Sequence, residues 1–388
     1  MSSVEEFRTE IRGWLTAHLT GAFADLRGRG GPGREHEAFA ERLAWERHMA
    51  AEGWTCVGWP QEHGGRGATI EQQVAFHEEY ALAGAPARVN HIGEQLVGPT
   101  LVAFGTPEQR ARFLPPIVAA EELWCQGYSE PDAGSDLANV RTRAERDGGD
   151  WVVTGQKIWT SLAQDAQWCF VLARTDPGSS RHTGLSYLLV PLDQSGVVIR
   201  PIRQLTGTSE FNEVFFDGAR TRAEYVVGEP GDGWRVAMAT LGFERGVSTL
   251  GQQVGFRREL ETLIDLARRN GAADDPLIRD RLARAWTGLE TIRCNALRML
   301  DGVAAGAPGP EASIGKIFWA TWHRELGELA MSVLGAGGMT APEAPCELDE
   351  WQRLFLFSRA DTLYAGSNEI QRNIIAERVL GLPKEIRP

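Results

Sequence analysis

The chain has 388 residues, and 40 basic against 52 acidic side chains give it a net charge of −12. That length requires two or three packed modules rather than one core, and the charge excludes the broadly basic face of a nucleic-acid-binding protein while leaving room for a local basic patch on a phosphate-bearing ligand. No apolar run approaches the roughly 20 residues that cross a bilayer, and five scattered cysteines (Cys56, Cys125, Cys169, Cys294, Cys346) without a CxxC pair point to reduced thiols in a cytoplasm rather than a disulfide framework.

The amino terminus, MSSVEEFRTEIRGWL, is acidic and lacks the basic start and apolar core of a secretion signal. Val4, Phe7, Ile11, Trp14 and Leu15 recur at the helical period. Thr106-Pro107-Glu108-Gln109 is a helix start: Thr106 caps, Pro107 fits the first helical position and Gln109 closes a capping box. The glycine-rich Gly64–Gly67 stretch between these helices reads as a loop.

From Leu123 to about Val227 the texture changes to strands and turns. Trp151–Val153, Trp168–Leu172, Leu185–Val190, Val197–Ile199 and Glu213–Phe216 are short β-branched or aromatic runs divided by Pro, Gly and Asp clusters. With no helical period between them, an antiparallel barrel or sandwich is expected in place of a parallel sheet. After Gly228-Glu229-Pro230-Gly231 the helical period returns, with Phe243, Val247, Leu250 and Val254 on one stripe. Further helices are expected over Leu277–Leu300, Pro310–Gly335, Asp349–Leu363 and Glu369–Leu380. The predicted class is a multidomain α+β protein: a helical domain at 1–121, a β domain at 122–229 and a helical bundle at 230–388.

No HExxH or Cys/His cluster points to a metal, and no G-x-G-x-x-G lies between a strand and a helix, so a Rossmann site is not expected. The Gly-Ser-Asp turn at Gly134-Ser135-Asp136 offers backbone N–H groups and a hydroxyl together, which suits a phosphate or a carbonyl edge. In an extended segment Trp159 and Ser161 face one side, so a ring cover and a hydroxyl donor arrive together.

Tyr128-Ser129-Glu130-Pro131-Asp132-Ala133-Gly134-Ser135-Asp136 resembles a signature of the acyl-CoA dehydrogenase family. So do Gly155-Gln156-Lys157-Ile158-Trp159-Thr160-Ser161 and Tyr364-Ala365-Gly366-Ser367-Asn368-Glu369-Ile370-Gln371-Arg372. The three matches fall in the family's order across essentially the whole chain. The resemblance implies an N-terminal helical domain, a middle β domain and a C-terminal four-helix bundle. It implies FAD as cofactor, an acyl-CoA thioester as substrate, α,β-dehydrogenation as reaction and an electron-transfer flavoprotein as electron acceptor, in a homo-oligomer or a hetero-oligomer with a related subunit, without nucleic acid or membrane.

By the same resemblance, Gln126, Tyr128, Ser129, Gly134 and Ser135 line the flavin, with Ser135 also near the CoA arm, and Trp159, Thr160 and Ser161 cover its face. Arg268, Ser332, Gly335 and Ala336 fall at the dinucleotide end, Ser367 and Glu369 also contact the cofactor, and Tyr364, Ala365, Gly366 and Arg245 approach the substrate.

The sequence departs from the commonest family pattern where chemistry needs a base. A thioester α-proton is weakly acidic and suits a carboxylate whose pKa burial has raised, yet the position between Tyr364 and Gly366 is Ala365. One explanation moves the base to Glu244 in Leu241-Gly242-Phe243-Glu244-Arg245, as in relatives similar to isovaleryl- and long-chain acyl-CoA dehydrogenases. The other makes the chain a non-catalytic partner in a hetero-oligomer. Glu369 and Asp361 are poorer bases. The usual Arg-Lys-Thr-Phe-Gly-like segment is here Ala267-Arg268-Arg269-Asn270-Gly271-Ala272, and Ser332 replaces a family glutamine, so the dinucleotide end is held differently. Action on a carrier-protein thioester is a third reading within the fold.

Overall fold

The computed structural model describes residues 3–243, 248–304, 309, 311–340 and 347–384. In chain order come helices α1 (Val4–His18), α2 (Phe39–Ala51), α3 (Ile70–Leu82), α4 (Gly98–Phe104) and α5 (Pro107–Val118). Strands β1 (Trp124–Gly127), β2 (Arg143–Asp147), β3 (Asp150–Ser161), β4 (Trp168–Arg174), β5 (Leu185–Pro191), β6 (Val197–Ile202), β7 (Phe211–Arg222) and β8 (Val226–Val227) follow. The helices α6 (Gly233–Phe243), α7 (Ser248–Arg269), α8 (Pro276–Ala304), α9 (Glu311–Leu334), α10 (Glu350–Phe357) and α11 (Asn368–Ile374) complete the chain. Two compact units result: Thr16–Thr69 with Ala85–Glu244, and Met1–Leu15 with Ile70–Gly84 and Arg245–Pro388.

In the first unit the strands form one sheet in the order β6-β7-β3-β2-β4-β5-β8, with β1 pairing β4. Most pairings are antiparallel as expected, but β1 and β2 both run parallel to β4. The β2–β3 hairpin, two reversals between β1 and β4, returns the chain to its earlier direction. Along β4, Trp168, Phe170 and Leu172 enter one apolar cluster while Cys169, Val171 and Ala173 enter another. Strand β5 alternates likewise, Leu185, Tyr187 and Leu189 against Leu188 and Val190. Burial on both faces explains why these strands read as unbroken apolar runs, each large side chain contributing about 1.5–3 kcal/mol.

The expected start of α5 is present: Thr106 Oγ1 accepts from Gln109 N at 3.2 Å, and Gln109 Oε1 accepts from Thr106 N at 3.1 Å. Gln109 Nε2 also donates to the carbonyls of Glu224 and Val226, at 2.6 and 2.7 Å, which fastens α5 to β8. Helix α6 begins against β5. A Cβ on Gly233 would lie 2.5–2.6 Å from the Ser186 backbone, so only glycine permits this approach, and Gly231 N donates to Ser186 Oγ at 2.9 Å. In the Gly64–Gly67 loop, Gly65 is a close-packing device, since a Cβ there would meet the Trp59 carbonyl at 2.1 Å.

In the second unit α7 buries Phe256, Leu260, Leu263 and Ala267 at helical spacing, against Leu289 of α8, Trp322, Leu326 and Leu329 of α9 and Trp351 of α10. Phe7, Ile11 and Leu15 of α1 are buried as the period predicts, whereas Val4 is exposed. Arg8 bonds Glu78 at 2.7 Å and Glu79 at 2.9 Å, tying α1 to α3. The helix expected over Asp349–Leu363 is shorter than its pattern. Asp349 caps α10, which stops at Phe357, and a 3₁₀ turn at Ala360–Thr362 follows. Likewise α11 passes into a π turn at Ile375–Val379. No helix among the described residues is long and apolar enough to cross a membrane. Cys56, Cys125, Cys169 and Cys294 are free thiols; Cys346 lies outside the described residues.

Candidate active site

Two of the three sequence signatures meet in the first unit. Ile158 N donates to Ser129 O at 2.9 Å, which joins the Tyr128–Asp136 loop to β3. Beneath that junction Lys157 is fully buried. Its ammonium donates to Tyr128 O at 3.0 Å, Leu172 O at 2.7 Å and Glu130 Oε1 at 2.8 Å. Glu130 in turn accepts from Arg141 N at 2.6 Å and Thr142 N at 2.8 Å. Burial opposes the charge on Glu130, but Lys157 and these donors outweigh it and hold its carboxyl below the usual range. Burial also pulls the Lys157 ammonium down, against the attraction of Glu130.

The register with β7 shifts between Lys157 and Thr160, so Ile158 and Trp159 stand opposite one partner residue. This bulge puts Trp159 at φ 59°, a left-handed backbone rare for a bulky residue. The regular alternation expected to carry Trp159 and Ser161 on one side is therefore broken at Trp159. The outcome is an indole 56 % exposed, with Phe211 edge-on at 6.2 Å. Ser161 is half-buried. The Thr160 hydroxyl is buried and has no partner among the described residues. Ser129 and Gln126 are half-buried, Tyr128 is buried with Phe170 edge-on at 5.5 Å, and Gly134 and Ser135 are exposed.

The third signature lies in the second unit. Tyr364 Oη donates to Asp361 Oδ1 at 2.5 Å. Ala365 and Gly366 follow with φ of 52° and 81°, both left-handed. Gln371 Nε2 donates to their carbonyls at 3.3 and 3.5 Å. Ser367 caps α11 by accepting from Ile370 N at 3.3 Å. Glu369 is exposed, and the backbone N–H and Ser367 hydroxyl at this helix start lower its pKa. Asp361, a poor base by sequence, has both carboxylate oxygens engaged, the second 2.6 Å from His323 Nδ1.

The two segments that depart from the family pattern are adjacent. Asn270 Nδ2 donates to Val333 O at 2.9 Å, setting the Arg268–Ala272 segment beside the Ser332–Gly338 turn. Arg268 is exposed and pairs with Asp265 at 3.4 Å. Ser332 Oγ accepts from Arg281 at 2.8 Å, and Gly335 and Ala336 are exposed. Glu244 and Arg245 lie outside the described residues.

Sequence reading assigned no role to Lys157 or His323. Lys157 falls in the inward phase of β3 with Trp151 and Val153, but a lysine there gives no sign of burial, because the acceptors that permit it lie on the Tyr128–Asp136 loop and on β4. His323 is separated by tens of residues from both carboxylates that flank it.

Comparison with known proteins fits this arrangement. Residues 2–121 match the acyl-CoA dehydrogenase N-terminal domain, 125–219 the middle domain and 231–380 the C-terminal domain. The chain belongs to the acyl-CoA dehydrogenase family. It is 67 % identical over 387 residues to acyl-CoA dehydrogenase IpdE1 of Mycobacterium tuberculosis, with both chains fully covered. Over 397 residues it is 64 % identical to IpdE1 of Mycolicibacterium smegmatis, again with full coverage. Among solved structures it is similar to the Tcur3481-Tcur3483 steroid ACAD, at 31 % identity and TM-score 0.85 over 98 % of each chain. It is also similar to the ChsE4-ChsE5 complex of M. tuberculosis, at 30 % identity and TM-score 0.79 over 99 % of each chain.

Acyl-CoA dehydrogenases are FAD-dependent oxidoreductases acting on acyl-CoA. The residues present fit that cofactor. An indole held out of its core by a left-handed backbone offers a ring face, and the buried Thr160 hydroxyl, without a partner among the described residues, offers a donor.

Proposed function

We propose that the chain catalyses α,β-dehydrogenation of an acyl-CoA thioester, with Glu244 removing the α-proton. Bound FAD supplies the acceptor for the hydride that leaves the β-carbon. On this reading Gln126, Tyr128, Ser129, Gly134, Ser135, Trp159, Thr160 and Ser161 hold the flavin, with Ser367 and Glu369. Arg268, Ser332, Gly335 and Ala336 serve its dinucleotide end. Tyr364, Ala365, Gly366, Ser135 and Arg245 contact the substrate, and electrons pass to an electron-transfer flavoprotein. The three modules are taken as 1–121, 122–229 and 230–388.

The observation that carries this reading is the Trp159 bulge bolted to the Ser129 loop through Ile158, Lys157 and Glu130. A strand that only needed a core would bury its tryptophan. Ala365 cannot take a proton, so the base role passes to Glu244.

For the acyl group we favour a steroid-type side chain, and for the assembly a hetero-oligomer with a related subunit. The support is the likeness to the Tcur3481-Tcur3483 steroid ACAD and the ChsE4-ChsE5 complex. The altered Arg268–Ala272 segment agrees, because its guanidinium is paired within its own helix, to Asp265.

A second reading, a subunit without chemistry of its own, draws on Ala365. Purified protein, alone and with a related subunit, is mixed anaerobically with a panel of acyl-CoA esters. Bleaching of the flavin that Glu244→Gln abolishes supports the first reading. Bleaching unaffected by Glu244→Gln in the assembled protein favours the second.

A further inference from the structure

His323 on α9 is buried, and both of its ring nitrogens face carboxylates: Nδ1 lies 2.6 Å from Asp361 Oδ2 and Nε2 lies 3.0 Å from Glu259 Oε2 of α7. A neutral imidazole has one N–H and would set a bare lone pair against one of those oxygens. The geometry therefore selects the imidazolium. Burial works against that charge, but Glu259 and Asp361 more than offset it, and the pKa is pushed up to about 10.

The other groups around the ring complete the set. Lys316 of α9 bonds the Asp361 carbonyl, so two cations meet two anions in the cluster. Phe256 and Trp322 flank the imidazole, with centroids at 4.5 and 6.3 Å. Arg359, on the turn that carries Asp361, is committed to Glu328 at 2.8 Å and to Arg324 O at 2.7 Å.

Asp361 uses its remaining oxygen on Tyr364. The chain thus runs Glu259–His323–Asp361–Tyr364 and ends at two consecutive left-handed residues, Ala365 and Gly366. An alanine with positive φ persists only where its surroundings fix it. Gln371 fixes one side of this turn through the two carbonyls, and Tyr364 fixes the other. Charged groups in a row are costly to desolvate, and a neutral histidine bonded to a backbone carbonyl would fill the same space more cheaply.

We infer that His323 is a positioning residue: its imidazolium locks the Asp361 carboxylate, which locks Tyr364 and, through it, the Ala365–Gly366 turn against the acyl thioester. This rests on the reading of that turn as a substrate contact.

The test uses the holoenzyme, with any subunit it requires, and the variants His323→Gln, Tyr364→Phe and the double. Flavin content, the visible flavin spectrum and helical circular dichroism should be unchanged. In anaerobic single turnovers each variant should lower the limiting rate of flavin reduction about tenfold or more, with half-saturation within about threefold. Because both act on one chain of contacts, the double should be no slower than the worse single. A wild-type limiting rate in either variant, or multiplicative losses in the double, overturns the proposal. Tyr364→Phe, which removes one oxygen atom, carries the test should His323→Gln fail to fold.

A wild-type protein that no acyl-CoA bleaches would count against the dehydrogenase reading alone. The positioning role is then read by NMR of ¹⁵N-histidine-labelled protein. At about pH 8 both His323 nitrogens should carry protons, and Tyr364→Phe should shift the Nδ1 resonance. A neutral His323, or an unshifted resonance, overturns it.

Discussion

The Lys157 ammonium, fully buried, sits 2.8 Å from Glu130 Oε1, and this contact ties the strand that carries Trp159 to the loop that carries Ser129. Lys157→Met keeps the volume but leaves Glu130 charged and unpaired. Removing one partner of such a pair costs about 3–5 kcal/mol. The denaturant midpoint should fall, and the purified variant should lose FAD on gel filtration. A variant with wild-type midpoint and full colour would show that the bolt carries nothing.

On the proposed reading, Trp159 separates cofactor binding from stability. Its indole is 56 % exposed, so Trp159→Ala should change unfolding free energy by no more than about 0.5 kcal/mol. A lost ring stack is worth about 0.5–1.5 kcal/mol, or roughly two- to twelvefold in FAD dissociation. Thermal denaturation of apoprotein beside flavin titration measures both. Loss of stability with unchanged flavin affinity would return Trp159 to a purely structural role.

Glu244→Gln preserves shape and removes the carboxylate proposed as the base. A general base contributes about 10²–10⁴-fold, and the rate of anaerobic flavin reduction should fall by that much while the protein stays yellow. Reduction at the wild-type rate would exclude Glu244.

The His323 cluster makes stability depend on alkaline pH. Its folded pKa, about 10, lies above the ordinary histidine value. The folded state binds the proton more tightly, so the contribution is full below about pH 6.5 and is lost as pH rises through the folded value. Thermal midpoints across that range should decline more steeply in wild type than in His323→Gln. Parallel profiles would mean that the imidazolium adds no stability.

Thr106→Ala removes the cap of α5 and should cost about 1 kcal/mol, with no effect on flavin content. Urea unfolding measures it. A change under a few tenths would show that Gln109, through its bonds to Glu224 and Val226, anchors the helix without the cap.

Much of the fold was legible because it rests on local rules. Thr106 through Gln109 carry their own capping box, and Phe7, Ile11 and Leu15 announce the buried face of α1. The apolar runs of β4 and β5 marked strands, and the structure shows both faces of those strands buried. What local pattern missed was set by partners distant in sequence. The parallel course of β1 beside β4 depends on an intervening hairpin, and the exposure of Trp159 on a one-residue mismatch with β7. The burial of Lys157 needs three acceptors on two other segments, and the charge on His323 needs Glu259 and Asp361 on separate elements. The signatures marked the candidate flavin and thioester residues, and resemblance supplied the roles proposed for them.

The missing side chain at Gly233 has a mechanical consequence. With its first turn pressed onto the backbone of Ser186 and Thr240 Oγ1 2.8 Å from Thr100 Oγ1, α6 is seated on β5 at its root and on α4 farther along, and its last residue, Phe243, precedes Glu244 in the chain. A single methyl added at the root would collide with the Ser186 backbone and displace the helix, so on the proposed reading of Glu244 Gly233→Ala should slow flavin reduction although it changes none of the residues proposed for the chemistry.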